Sequence, residues 1–166
     1  MKKLSGQGYK IIKTIHILSA SIWIGAGVVV LFMLSVVLNR NNMPEILLAI
    51  HYVDLLIIIP SNLLTFVTGM VFSKFSGWGF FRHRWIMAKY AINFVPVILG
   101  GIILAPSMLD MLSIIEKTGE GAIFDPRFIE SRNRLMGAFV IILVLLIMAV
   151  CLTVVKPGLG KKVINK

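Results

Sequence analysis

The chain has 166 residues, the length of one domain, and is 58% hydrophobic and only 14% charged. That balance excludes an ordinary soluble core and marks an integral membrane protein. The formal net charge of +10 does not point to nucleic acid, because the lysines and arginines flank apolar runs and form no single basic face.

Four runs supply the apolar content: residues 14–39, 90–109 and 135–155 carry no charge, and residues 46–73 carry only Asp54. At about 1.5 Å per residue, roughly 20 residues cross a hydrocarbon core of about 30 Å, so each run predicts a spanning helix. The expected fold is all-α, a polytopic four-transmembrane-helix bundle in one integral membrane domain, 1–166, with helices near 11–38, 45–73, 84–108 and 126–155. The first run is too long for the apolar part of a secretory signal, about 7 to 15 residues, and no small-x-small site follows it, so it reads as a retained helix.

Helix one holds KIIKTIHILSASIWIGAG, in which His16, Ala20, Trp23 and Gly27 fall on one stripe with Ser19 beside it. NRNNMPE ends it, and Pro44 suits the first turn of helix two. In helix two the same arithmetic aligns Asp54, Ser61, Thr65 and Thr68, while Pro60 predicts a kink whose freed carbonyl Ser61, Asn62 or Thr65 would satisfy. The loop SKFSGWGFFRHRW suits the headgroup layer. Helix three aligns Lys89, Asn93, Pro96 and Gly100, with Trp85 one turn earlier. Beyond Pro106 an amphipathic turn through MLDMLSIIEK is the expected continuation. Asp125 and Pro126 form a cap and first-turn pair for helix four, which is otherwise apolar up to the stop at Lys156-Pro157-Gly158 and is expected to contribute mainly packing. Cys151, the one cysteine, permits no intrachain disulfide and reads as a packing residue.

Eleven basic residues flank the side that bears both chain ends, against five on the other, so the expected topology is N-in/C-in. His16 and Lys89 then lie at similar height near the cytoplasmic surface. His51 and Asp54 lie near the outer surface, and His51 is on the order of 20 Å from His16, too far for two axial ligands of one haem. Ionisable groups inside a membrane are costly and mark functional sites, yet each has a plainer reading. His16 is a ligand or an interhelical hydrogen-bonding group; Lys89 is an interior group or one that snorkels to headgroups. His51 and Asp54 are a structural pair, a proton-transfer pair or partners of a base such as Arg134, since two ligands make no zinc site. His83, between Arg82 and Arg84, is an interfacial residue or part of a basic cluster that meets phosphates or propionates.

HILSASIWIGAG, WGFFRHRWIMAKY and VVKPG resemble a bacterial family of predicted four-helix integral membrane proteins of unknown function, over about Lys10 to Gly158. That family is distantly similar to the CopD-like copper-resistance proteins and the HemJ-type protoporphyrinogen oxidases. The HemJ resemblance implies haem b on the first-helix histidine, His16, and a functional third-helix lysine, Lys89. The chain lacks the tyrosine–histidine pairs expected in that group, so the resemblance implies a cofactor pocket and not a particular reaction.

The leading expectation is therefore a haem-binding or redox-active protein of the bacterial cytoplasmic membrane. His16 supplies the axial nitrogen, Lys89 meets a propionate, porphyrin or quinone, and Trp23, Gly27 and Trp85 make room for and pack the ring. The alternative from another class is a copper-ion or small-solute path along Asp54, Ser61, Asn62, Thr65 and Asn93 in a homo-oligomer. A structural partner of a membrane complex is the third.

Overall fold

The computed structural model describes residues 5–36, 43–75 and 84–155. They form four helices long and apolar enough to cross a membrane: α1 (Gly6–Val36), α2 (Met43–Phe75), α3 (Arg84–Phe124) and α4 (Pro126–Val155). Their outward faces are apolar, with Phe32 67%, Leu63 62% and Ile102 71% exposed, a surface that requires hydrocarbon rather than water around it. Cys151 is exposed on this outer face of α4, not packed inside as its apolar context had implied. Most of the loop that carries His83 (76–83), the turn at 37–42 and the stop at Lys156-Pro157-Gly158 lie outside the described residues.

Local chemistry sets the helix ends. α1 begins at Gly6, ahead of residue 11, because the Ser5 hydroxyl accepts the Gly8 N–H at 3.1 Å and the Ser5 carbonyl accepts the Tyr9 N–H at 2.9 Å. α4 begins where expected. The Arg127 N–H donates to Asp125 Oδ1 at 2.8 Å, and that bond holds the Asp125 carboxyl below the usual carboxylate range.

Two prolines reshape the spans. Pro60 offers no N–H, and its ring crowds the carbonyl four residues back. The chain widens just before it into a π turn, Asp54–Ile58, closed by the Ile59 N–H on the Asp54 carbonyl. Ser61 donates to the Ile57 and Ile58 carbonyls at 2.6 and 3.0 Å. Pro106 sits in the same relation to a second π turn, Gly100–Leu104. Beyond it α3 continues as Ala105–Thr118, ends at Gly119 with φ +56°, and closes in a 3-10 turn, Gly119–Phe124. α3 therefore passes residue 108, because Met108, Met111, Ile114 and Ile115 of this segment are buried in the bundle.

The apolar core sits at this end, away from the start of α1. Val30, Leu34, Leu47, Met111 and Phe128 are each 0% exposed, and Arg132 Nε of α4 donates to the Leu34 carbonyl near the end of α1 at 2.8 Å. Toward the other end the helices meet through hydroxyls. Thr65 Oγ1 donates to Ser19 Oγ at 2.9 Å, and Ser19 in turn donates to the His16 carbonyl at 3.1 Å.

Candidate functional site

His16 stands nearly three turns into α1, where its ring meets the last turns of α2. Nδ1 lies 3.1 Å from the Thr65 carbonyl and 2.8 Å from Thr68 Oγ1. A carbonyl only accepts, and the Thr68 hydroxyl gives its own proton to the Leu64 carbonyl at 2.7 Å. Nδ1 is thereby assigned as the protonated nitrogen, and Nε2 carries the lone pair. No hydrogen bond to Nε2 forms among the described residues. Phe72 sets its ring edge-on to the imidazole with centroids 5.8 Å apart, and Tyr9 sets its own edge-on to Phe72 at 5.3 Å.

His16 and Lys89 share one cavity of about 370 Å3, the end cavity, whose wall includes Tyr9, Lys13, Phe72, Trp85 and Tyr90. Lys89 Nζ donates to Thr153 Oγ1 of α4 at 2.7 Å and lies 5.5 Å from the centre of the Trp85 ring, within cation–π range. Tyr90 Oη donates to Ser73 Oγ at 2.5 Å, tying α3 to α2. The common height of His16 and Lys89, inferred from their helix positions, is realised as a common cavity.

Trp23 and Gly27 are not there. Both line a second, central cavity of about 610 Å3, together with Asp54, Asn62, Pro96 and Gly100. Gly27 faces α4, where an added Cβ would sit 3.1 Å from Leu143 Cδ2. The glycine beside His16 is Gly69 of α2, whose added Cβ would meet His16 Cε1 at 3.6 Å. Helical spacing had put Trp23 on the His16 stripe. At two turns' distance, about 11 Å along the axis, the same stripe opens on a different cavity.

Asp54 also leaves its expected company. Ser61, Thr65 and Thr68 are buried and Thr65 and Thr68 bond toward α1, while Asp54 lines the central cavity. The extra residue of the π turn advances the helical phase by about 100°, which breaks the alignment. His51 is exposed and makes no hydrogen bond or ion pair with Asp54, and Arg134 pairs instead with Glu130. The polar path drawn along α2 is thus divided, with only Asn93 of its five residues lining both cavities. Asn93 Nδ2 donates to the Lys89 carbonyl at 2.8 Å, and its buried Oδ1 accepts no hydrogen bond among the described residues.

Sequence reasoning missed Tyr9, Phe72, Tyr90 and Thr153. Thr153 was the available signal, as the one hydroxyl between Arg134 and Lys156 on a helix otherwise read as packing.

Chemically, the end cavity offers one neutral imidazole nitrogen, an ammonium and aromatic walls. No group of three or more His, Cys, Asp or Glu side chains gathers among the described residues.

Residues 10–157 match the profile of the family described as "Predicted integral membrane protein (DUF2269)", and the chain belongs to that family. No curated protein and no solved structure matches it.

Proposed function

We propose that this family member is a haem-binding, redox-active protein of the bacterial cytoplasmic membrane, with haem b held in the end cavity by His16. The observation that carries the reading is the orientation of one imidazole: Nδ1–H is engaged by Thr65 and Thr68 of α2, while Nε2 is left as a Lewis base beside a cavity. Metal-binding histidines commonly have their second nitrogen fixed in this way, which sets the tautomer and raises ligand basicity. Haem iron already carries four porphyrin nitrogens, so a single protein imidazole suffices, and the donor set fits.

Lys89 and Lys13, both on the cavity wall, are the cations available to propionates. The Trp85, Tyr90 and Phe72 rings on that wall offer flat apolar contact and exclude water. Bound haem would supply one-electron chemistry; the chain's own part is to ligate, orient and neutralise. The resemblance to HemJ-type proteins at His16 and Lys89 points the same way, and His51 and Asp54, which do not line the end cavity, have no part in it.

The test is the absorption spectrum of protein purified in mild detergent after haem-replete expression. A Soret band that survives washing and is lost in His16→Ala supports the reading, and a colourless wild type overturns it. Lys89→Met is expected to shift the band or the reduction potential. A second reading, passage of a small solute, is favoured by Asn93 and Phe66, which line both cavities and so adjoin them. It requires flux in reconstituted vesicles that falls in Asp54→Asn.

A further inference from the structure

The central cavity stands apart from that reading, since neither His16 nor Lys89 lines it. Its construction follows from the two π turns, Asp54–Ile58 on α2 and Gly100–Leu104 on α3, which both contribute to its wall. Gly100 and Gly101 keep that wall thin: a Cβ added at either meets nothing within 4 Å.

The lining has a definite chemical character. Trp23, Phe66, Phe94 and Phe139 supply rings, and aliphatic side chains supply most of the rest. Asp54 is the one ionisable side chain on the wall, and no lysine, arginine or histidine joins it there among the described residues. Its carboxyl makes no ion pair or hydrogen bond among the described residues; His51, one turn earlier on α2, interacts with it electrostatically but is exposed and does not line the cavity. A carboxylate at membrane depth with no hydrogen bond and no contact ion pair is costly unless a proton or a cation neutralises it more closely.

Entry is from the bilayer. Leu63 of α2 and Phe94 and Val97 of α3 lie on the wall and are 62%, 53% and 62% exposed, so the rim of the cavity faces hydrocarbon. A bare metal ion has too few oxygen or nitrogen ligands here to replace its water. An organic cation needs none, because aromatic faces attract it electrostatically and apolar walls bury its body.

We propose that the central cavity binds a lipophilic organic cation from the bilayer, its charge paired with the Asp54 carboxylate and its apolar body packed on the Trp23, Phe66 and Phe94 rings. This proposal does not depend on haem in the end cavity.

Equilibrium dialysis of the detergent-purified protein against tetraphenylphosphonium and against neutral triphenylphosphine oxide tests it. The expected result is saturable binding of the cation, with the neutral compound at least tenfold weaker. Asp54→Asn is expected to weaken cation binding at least tenfold, a factor equivalent to about 1.4 kcal/mol, and to leave the neutral compound unaffected. Gly100→Leu, which places a side chain in open space, abolishes binding of the cation while elution volume and helical circular dichroism stay those of wild type. Absence of saturable binding, equal affinity for the two compounds, or unchanged affinity in Asp54→Asn overturns the proposal. Absorption spectra of the same samples report the haem reading separately: a retained Soret band with no cation binding defeats this proposal alone, and the converse defeats only the other.

Discussion

The two ends of the bundle are built on different principles. At the end formed by the close of α1, the start of α2, the latter half of α3 and the start of α4, side chains such as Leu34, Met111 and Phe128 are fully buried. At the end that holds the start of α1, hydroxyls join the helices beside the ring contacts: Thr65 with Ser19, Thr68 with His16, Tyr90 with Ser73. Lipid is as apolar as leucine, so association there rests mainly on close van der Waals contact at one end, with Arg132 bonded to the Leu34 carbonyl, and more on interhelical hydrogen bonds at the other. The difference separates the tasks. Dense packing fixes the bundle, and the hydrogen-bonded end, less tightly filled, keeps an oriented imidazole beside a cavity.

That contrast breaks most directly at the dense end. Phe128→Ala is expected to destabilise the bundle by about 3–5 kcal/mol through the void it leaves, read by denaturant unfolding in detergent, with little change in any ligand spectrum. Arg132→Met removes a charged hydrogen bond to the Leu34 carbonyl and is expected to cost about 1.5–3 kcal/mol in the same assay. At the polar end, Thr68→Val leaves the Thr65 carbonyl as the one acceptor for Nδ1–H. Stability should fall by only about 0.6 kcal/mol, while haem retention during washing should weaken about tenfold. An equal loss of stability in Thr68→Val and Phe128→Ala would erase the distinction between the ends.

The smallest effect concerns the α4 cap. Asp125 has its carboxyl held below the usual range by the Arg127 N–H, so the folded-state value is depressed relative to the unfolded chain. Its contribution is complete above the unfolded carboxylate pKa, about 3.9, and is lost as pH falls through the lower folded value. Asp125→Asn should lower stability slightly at neutral pH, where the carboxylate contributes, and flatten the acid limb of the stability profile below about pH 4.

Most of the architecture was legible because it depends on composition over long windows. Four uncharged or nearly uncharged runs gave four spans, and Asp125 with Pro126 gave the start of the last. The shared height of His16 and Lys89 was legible because both count from the same end of the bundle. What escaped depends on local departures from a regular helix or on partners from elsewhere in the chain. A 100° step per residue carries Asp54 onto the face of Ser61 and Thr65 only if no π turn intervenes, and the sequence before Pro60 does not announce one. Trp23 and Gly27 share a stripe with His16, yet whether a stripe opens on one cavity or two is decided by α2, α3 and α4. Thr153 reaches Lys89 across 64 positions, which periodicity within one helix does not report.

The proposed ligation of haem by His16 Nε2 in the end cavity ties these observations together. It is tested most directly by the reduced-minus-oxidised absorption spectrum of the wild type beside His16→Ala, at matched protein concentration. A Soret band and reduced-state bands are expected in the wild type and vanish in the variant while its helical content is unchanged. The same bands at full intensity in His16→Ala, or none in the haem-replete wild type, would contradict it.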